Sequence, residues 1–250
     1  MKKHSLISVV SGILLWELAG HLKWLPPFVL PVPSQIIVAL GKDWQNLLFH
    51  SQVTLVQALA GLLIGVGIAF VLAIWMDCWR LVHAALYPLL IISQTIPTVA
   101  IAPILVLALG YEMTPKIVLV ALTTLFPVVM SILSGFAQCD QEAIDLLRLM
   151  GASKRQILWH VKLPFSLPYF FAGLKVSVSY AFVGSVVAEW LGGFQGLGVY
   201  MIQTKRAFAY DKMFAVILVI SVISLLGMSG VSLIERLALP WQLKRKEDKQ

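Results

Sequence analysis

The stretch "DLLRLMGASKRQILWHVKLP", Asp145–Pro164, interrupts a chain that is otherwise mostly apolar. It reads as helix, tight turn, helix. Just upstream, Asp140 is placed to cap the first helix, and Glu142 puts negative charge in its first turn, where the helix dipole favours it. Gly151 supplies the left-handed residue with which helices end. Ser153 and Gln156 match the S-x-x-Q capping box, so a second helix begins at once. Leu163-Pro164 is expected to stop that helix, with Pro168 close behind. Ala143, Leu146, Leu147 and Met150 give the first helix an apolar face. Ile157, Leu158 and Val161 do the same for the second, beside basic Lys154 and Arg155. Such a hairpin suits a groove on another protein; it also suits a membrane surface carrying anionic lipid.

Working outward, 59% of the 250 residues are hydrophobic and 12% are charged. Soluble domains hold about 45–50% and about 25%. So little charge cannot coat a globule of this length, which argues against a soluble enzyme and for lipid as the solvent. The net charge of +7 does not signal nucleic acid, because no basic stripe is interleaved with aromatics; the positive residues flank apolar runs. Cys78, Cys139 and the five histidines lack metal or redox spacing and read as structural. No metal ligands and no catalytic residues are expected.

A helix needs about 20 apolar residues to cross the hydrocarbon core. Six spans are expected: Leu6–Leu22, Val53–Met76, Leu81–Leu109, Ile117–Phe136, Phe170–Leu191 and Met213–Ile234. The first resembles a signal peptide in its basic start, but Trp16 and Glu17 argue against cleavage. Placing the N-terminus inside puts Lys2, Lys3, Arg80, Arg148, Lys154, Arg155, Lys162, Arg236, Lys244, Arg245, Lys246 and Lys249 on the cytosolic side. Lys23, Lys42, Lys116, Lys205, Arg206 and Lys212 fall outside. That two-to-one bias makes both termini cytosolic. The expectation is a single all-α polytopic domain over 1–250, with a cytosolic loop at about 138–166.

The third span carries Pro88, Pro97 and Pro103, with Ser93, Gln94 and Thr95 amid the apolar run. A broken helix with polar atoms at membrane depth lines a pathway, or else it is a kinked packing helix whose polar side chains bond to a neighbour. Gln94, Thr95 and Pro97 are therefore pathway candidates. Glu189, at the outer end of the fifth span, is a gate candidate; interfacial solvation at a helix end is its plainer reading. Lys175 can snorkel to the inner surface. Gly61 and Gly65 have the small-x-x-x-small spacing that allows close helix contact.

The loop also resembles a known motif. Permeases of ABC importers carry a cytosolic E-A-A-x3-G-x9-I-x-L-P signature, and Asp145-Leu146-Leu147, Gly151, Val161 and Leu163-Pro164 reproduce its spacing. The chain departs at Asp for Glu, Leu-Leu for Ala-Ala and Val for Ile. Ile96-Pro97, Pro103, Gly110 and Lys116-Ile117, together with "VGSVVAEWLGGFQGLG" (Val183–Gly198), are similar to permeases for nitrate, sulfonates, taurine and thiamine-precursor pyrimidines. The matches run from about Pro31 to the last span.

The resemblance implies the type I ABC importer permease fold and a multi-pass protein of the bacterial inner membrane. It implies two cytosolic ABC ATPases, a second permease copy in a homodimer and an extracytoplasmic substrate-binding protein. Asp145 and Gly151 would shape the coupling turn, with Leu163 and Pro164 at its end; Ala152, Ser153 and Lys154 would contact the ATPase. The chain has no G-x-x-x-x-G-K-[S/T], so ATP and Mg belong to that partner and none to this chain. The glycine run "GGFQGLG" falls on the outer face and reads as a close-packed turn. The "AEWLGG" segment tilts the cargo toward a thiamine-precursor pyrimidine, with sulfonate, taurine, nitrate or a flavin open. A secondary transporter working without an ATPase is the alternative, but it calls for mid-membrane ion relays and inverted repeats, and neither is evident.

Overall fold

A computed structural model describes residues 2–22 and 29–240. Lys23, Lys244, Arg245, Lys246 and Lys249, which entered the orientation count, lie outside them. The described residues form helices and connecting turns, with no strand. In chain order they are α1 (Lys2–His21), α2 (Pro33–Lys42), α3 (Trp44–Cys78), α4 (Arg80–Thr95), α5 (Thr98–Leu109), α6 (Met113–Ala137), α7 (Gln141–Leu149), α8 (Lys154–Ile157), α9 (Leu163–Leu191), α10 (Leu197–Arg206) and α11 (Tyr210–Ala238).

Among the described residues, four helices are long and apolar enough to cross a membrane: α3, α6, the continuous Lys154–Leu191 and α11. Together α4 and α5 make a fifth, bent by 98° between Thr95 and Thr98. α1 occupies the place of the expected first span but is less apolar than these. Its C-terminal end bears Glu17, which contacts His21 Nε2 at 3.0 Å and accepts from the Ser34 hydroxyl at 2.7 Å.

The bend in the third span has a local cause. Ile96 is extended (φ −83°, ψ 118°), the conformation that a following proline favours, and Pro97 then opens α5 as its N-cap. Pro88 and Pro103 lie inside α4 and α5 without ending them. One of the three prolines therefore does the breaking.

Pro164 does not stop the second helix of the loop, contrary to expectation. Leu158–Lys162 form a π-helical turn that joins α8 to α9, and the Leu163 amide reaches back to the Leu158 carbonyl. A proline inside an α-helix fails because it lacks an N–H and its ring presses on the preceding turn. The wider π turn takes up that pressure, so the helix passes through Pro164 unbroken.

α6 and α9 pack along each other, with α3 laid on α6. Small residues permit the approach. A Cβ at Gly61 would lie 2.5 Å from the Val120 Cβ, and one at Gly173 would lie 2.7 Å from the Ser131 Cβ. The spacing of Gly61 and Gly65 thus serves packing within the chain. Ala69, Ala73, Val128, Val129 and Ile132 fill the seam toward the loop end, and Ala58, Phe171, Val178 and Phe182 fill the other half. Lys175 pairs with Glu235 near the C-terminal end of α11.

Candidate functional site

Three places gather the polar chemistry, and the first is the α7–α8 hairpin. The Asp140 side chain caps α7 by accepting from the Glu142 amide. Gly151 has φ +84°, where other residues are strained. The Gly151 amide donates to Arg148 O (3.0 Å) and the Ala152 amide to Leu147 O (2.9 Å), which is the Schellman closure. Ser153 and Gln156 complete a reciprocal capping box. Asp145 accepts from Arg148 Nη1 at 2.8 Å and from Gln141 at 3.3 Å, both on its own helix.

The hairpin folds on Ile144, Ile157 and Cys139, backed by Leu147 and Val161. Burial pushes the Cys139 thiol above its ordinary value. This inner face leaves Leu146 and Met150, two of the residues expected to be apolar contacts, turned outward. Leu149 is 87% exposed and Met150 75%, next to the exposed tip residues Ser153, Lys154 and Arg155. Ala152 is half-buried, Leu163 is buried and Pro164 is exposed. The result is a rigid turn with an uncovered apolar and basic tip, set on a helix that runs unbroken to Leu191.

The second place is a cavity of about 670 Å³ at the bend between α4 and α5. Ser93, Gln94, Pro97, Thr98, Thr123 and Tyr180 give it its polar and aromatic character. The Ser93 hydroxyl donates to Leu90 O and the Thr123 hydroxyl to Val120 O, so both leave an acceptor oxygen available. No charged side chain is among the lining residues. Gln94 and Pro97 both line it. Thr95 does not line the cavity; its hydroxyl donates to Ile92 O at 2.7 Å.

Glu189 is not at this cavity either. It is 2% exposed, close to the C-terminal end of α9 and two residues past Val187 of the cavity lining, and forms the centre of the third place. Its carboxyl group accepts from the Thr54 hydroxyl at 2.8 Å and the Gly198 amide at 2.7 Å. Thr54 in turn accepts from the Leu197 amide, and His50 Nδ1 accepts from the Gly196 amide. The carboxyl group therefore sits on the N-terminal turn of α10, where the dipole suits it. The glycine run closes the knot. Gly196 has φ +126°, and a Cβ there would run into the Glu189 carboxyl group; one at Gly193 would lie 2.5 Å from Lys116 Nζ. Lys116, 3% exposed, interacts electrostatically with Glu189.

Solvation at a helix end therefore does not describe Glu189. Sequence reasoning missed Lys116, Thr54 and His50. The signal for two of them was present: Asn46, His50, Thr54 and Gln57 form a polar stripe at helical spacing. The stripe continues to Asp43, the N-cap of α3, which accepts from Asn46 and Tyr200 and lies 3.5 Å from Lys212. Burial would raise the Asp43 carboxyl, but these three partners hold it below the ordinary aspartate range. Burial and the adjacent Asp43 push the Tyr200 hydroxyl up. Among the described residues, no group of three His, Cys, Asp or Glu side chains converges as a metal site would require.

The described residues thus present a capped hairpin at one end of a helical bundle and a broken span beside a polar cavity. The chain belongs to the family described as binding-protein-dependent transport system inner membrane component, which it matches over residues 61–238. It is an ABC importer permease of the inner membrane. Among its relatives is the formylaminopyrimidine transport permease protein ThiX of Halalkalibacterium halodurans, 33% identical over 93% of each chain. The riboflavin transport system permease protein RibX of Chloroflexus aurantiacus is 31% identical, covering 94% of this chain and 89% of its own. The taurine transport system permease protein TauC of Escherichia coli is 30% identical, covering 91% and 85%. In fold the chain is similar to a chain of an amino acid ABC transporter (TM-score 0.66, 15% identity, 80% and 97% covered). It is also similar to the inward-facing MetNI methionine ABC transporter (TM-score 0.61, 19% identity, 78% and 93% covered).

Proposed function

We propose that two copies of this chain form a translocation pathway driven by two separate ABC ATPases, which bind ATP and Mg, and fed by an extracytoplasmic binding protein. The observation that carries this is the uncovered tip of the α7–α8 hairpin. Leu149 and Met150 are exposed beside Lys154 and Arg155. Apolar residues left bare on a well-capped turn are the usual mark of a partner surface. Docking there transmits force, because the hairpin is rigid and continuous with α9. Closure of the ATPases then stabilises one arrangement of the spans over the other, which is what alternating access requires. In this reading Asp145 and Gly151 shape the turn, Ala152, Ser153 and Lys154 meet the ATPase, and Leu163 and Pro164 connect it to the span. Thr95 and Pro97 set the bend, Gln94 faces the pathway, and Glu189 holds the outer end.

We further propose a small, uncharged, planar and polar cargo, with a formylaminopyrimidine-type thiamine precursor preferred over taurine, sulfonates or nitrate. The support is the bend cavity, which offers an amide, hydroxyls and aromatic rings from Tyr180 and Phe126 but no cation for a sulfonate. The relative ThiX points the same way.

The test is co-purification of the tagged chain with the products of its neighbouring genes, followed by reconstitution. An ATPase at one copy per permease, and uptake that needs ATP, is the expected result. Uptake by the chain without any ATPase would overturn the reading in favour of a secondary transporter. Uptake of taurine in preference to the pyrimidine would overturn the cargo assignment alone.

A further inference from the structure

A second cavity, of about 360 Å³, lies at the hairpin end of the bundle, between the end of α3, the start of α4, the end of α6 and α7. Asp77, Arg80, His83, Gln141, Arg148 and Lys162 give it its polar lining. Lys162 is held on Asp77 through contacts of 2.7 and 2.9 Å. Arg148 lends Nη1 to Asp145, which leaves the rest of its guanidinium free. Arg80 is exposed and forms no ion pair with the described residues. Lys162 is thus matched by Asp77 and Arg148 by Asp145, which leaves the charge of Arg80 unmatched in the lining. The first turn of α4 adds to this. Its N-cap, Trp79, provides no side-chain acceptor, so the amides beginning at Arg80 are left for a ligand. Everything the cavity still lacks is an anion.

The surroundings say which anion. Trp75 and Trp79, next in sequence to the lining residues Met76 and Arg80, are exposed and meet edge to face at 6.4 Å. Indole rings of this kind sit at the membrane–water boundary. Leu81, one residue past Arg80, is also exposed. A phosphate held between Arg80 and Arg148 would therefore lie at headgroup level, with an apolar surface next to it for the acyl chains. Basic pockets between spans at this depth take anionic headgroups. We propose that this cavity binds the phosphodiester headgroup of an anionic phospholipid such as phosphatidylglycerol. The headgroup joins α4, which opens the broken span, to α7, which carries the hairpin, and so ties the two together.

The test uses the full chain purified in a neutral detergent. Native mass spectrometry counts retained phosphatidylglycerol and phosphatidylcholine added at matched concentrations. Phosphatidylglycerol should be retained in preference. Arg80→Gln and Arg148→Gln should each weaken its retention about fivefold, with unchanged melting temperature. Arg236→Gln, at the end of α11 and outside the cavity, should have no effect. Equal retention of both lipids, indifference to Arg80→Gln and Arg148→Gln, or an equal loss with Arg236→Gln would each overturn the site. Displacement of the lipid by millimolar inorganic phosphate would assign the cavity to a free anion and overturn the lipid source. Should Arg80→Gln lower the melting temperature, Arg80→Lys decides. It keeps the charge and loses the fork, so retention is expected between wild type and Arg148→Gln; retention as weak as in Arg148→Gln would overturn the part played by charge.

Discussion

Gly151 is the residue on which the hairpin turns, and its φ of +84° is costly for any side chain branched at Cβ. Gly151→Val should cost about 1–2 kcal/mol at that position and redirect the tip. Transport-coupled ATP hydrolysis in proteoliposomes should be lost while membrane insertion is kept; normal transport in this variant would remove the role given to the turn. Glu189 makes a different kind of demand. Glu189→Gln leaves Lys116 buried without its counter-charge and turns an amide donor toward either Thr54 or the Gly198 amide. Each unsatisfied buried group costs about 1–3 kcal/mol. A drop in melting temperature is expected, partly relieved by Lys116→Met in a double-mutant cycle; additive losses would show that the two charges do not cooperate. At Asp43 the folded carboxyl lies below its ordinary value, so it contributes stability above the unfolded value that is lost as pH falls through the folded one. Asp43→Asn should therefore flatten the melting temperature between about pH 5 and about pH 3. An unchanged slope would show that other carboxyls set it. Gly151 was legible in the sequence because a turn's chemistry is local. The surroundings of Glu189 were not, since Lys116, Thr54 and Gly198 reach it from three other helices.

Elements obey the same division. The caps of α7 and α8 were readable from Asp140, Gly151, Ser153 and Gln156, each acting within a few residues. The fate of Pro164 was not, because a proline ends a helix only when no π turn relieves it, and the packing of Leu158 and Leu163 against α3 and α6 holds that turn in place. The three prolines of the third span announced a break without saying which of them makes it. Only Pro97 follows a residue that is extended, Ile96. Packing between elements yields its own prediction. Gly61 and Gly67 look equivalent in sequence, but a Cβ at Gly61 would meet Val120 and the Ile117 carbonyl, whereas nothing lies within 4 Å of one at Gly67. Gly61→Leu should push α3 off α6 and cost at least the 1–3 kcal/mol typical of overpacking. Gly67→Leu should leave the melting temperature in detergent unchanged. Equal effects would mean that α3 lies on α6 through some other face.

At the scale of the whole molecule, the bundle is incomplete on one side. α4 buries none of its residues. α9, otherwise well buried, keeps Val176, Tyr180, Val183 and Trp190 exposed in one stripe at helical spacing. Tyr180 and Val183 border the bend cavity, whose polar atoms at membrane depth need a cover other than lipid. A second copy related by a two-fold axis would present the same stripe to itself and close the cavity between them. In a background of Cys78→Ser and Cys139→Ser, cysteines placed singly along 176, 180 and 183 should give disulfide-linked dimers on mild oxidation. Leu225→Cys, exposed on α11, should stay monomeric on a non-reducing gel. Near an axis, each residue meets its own counterpart, so efficiency should rise and fall along α9 with the helical period rather than uniformly. Cross-linking at Leu225 without any at the α9 stripe would place the dimer on the opposite face, and the bend cavity would then open to lipid and could not be the pathway.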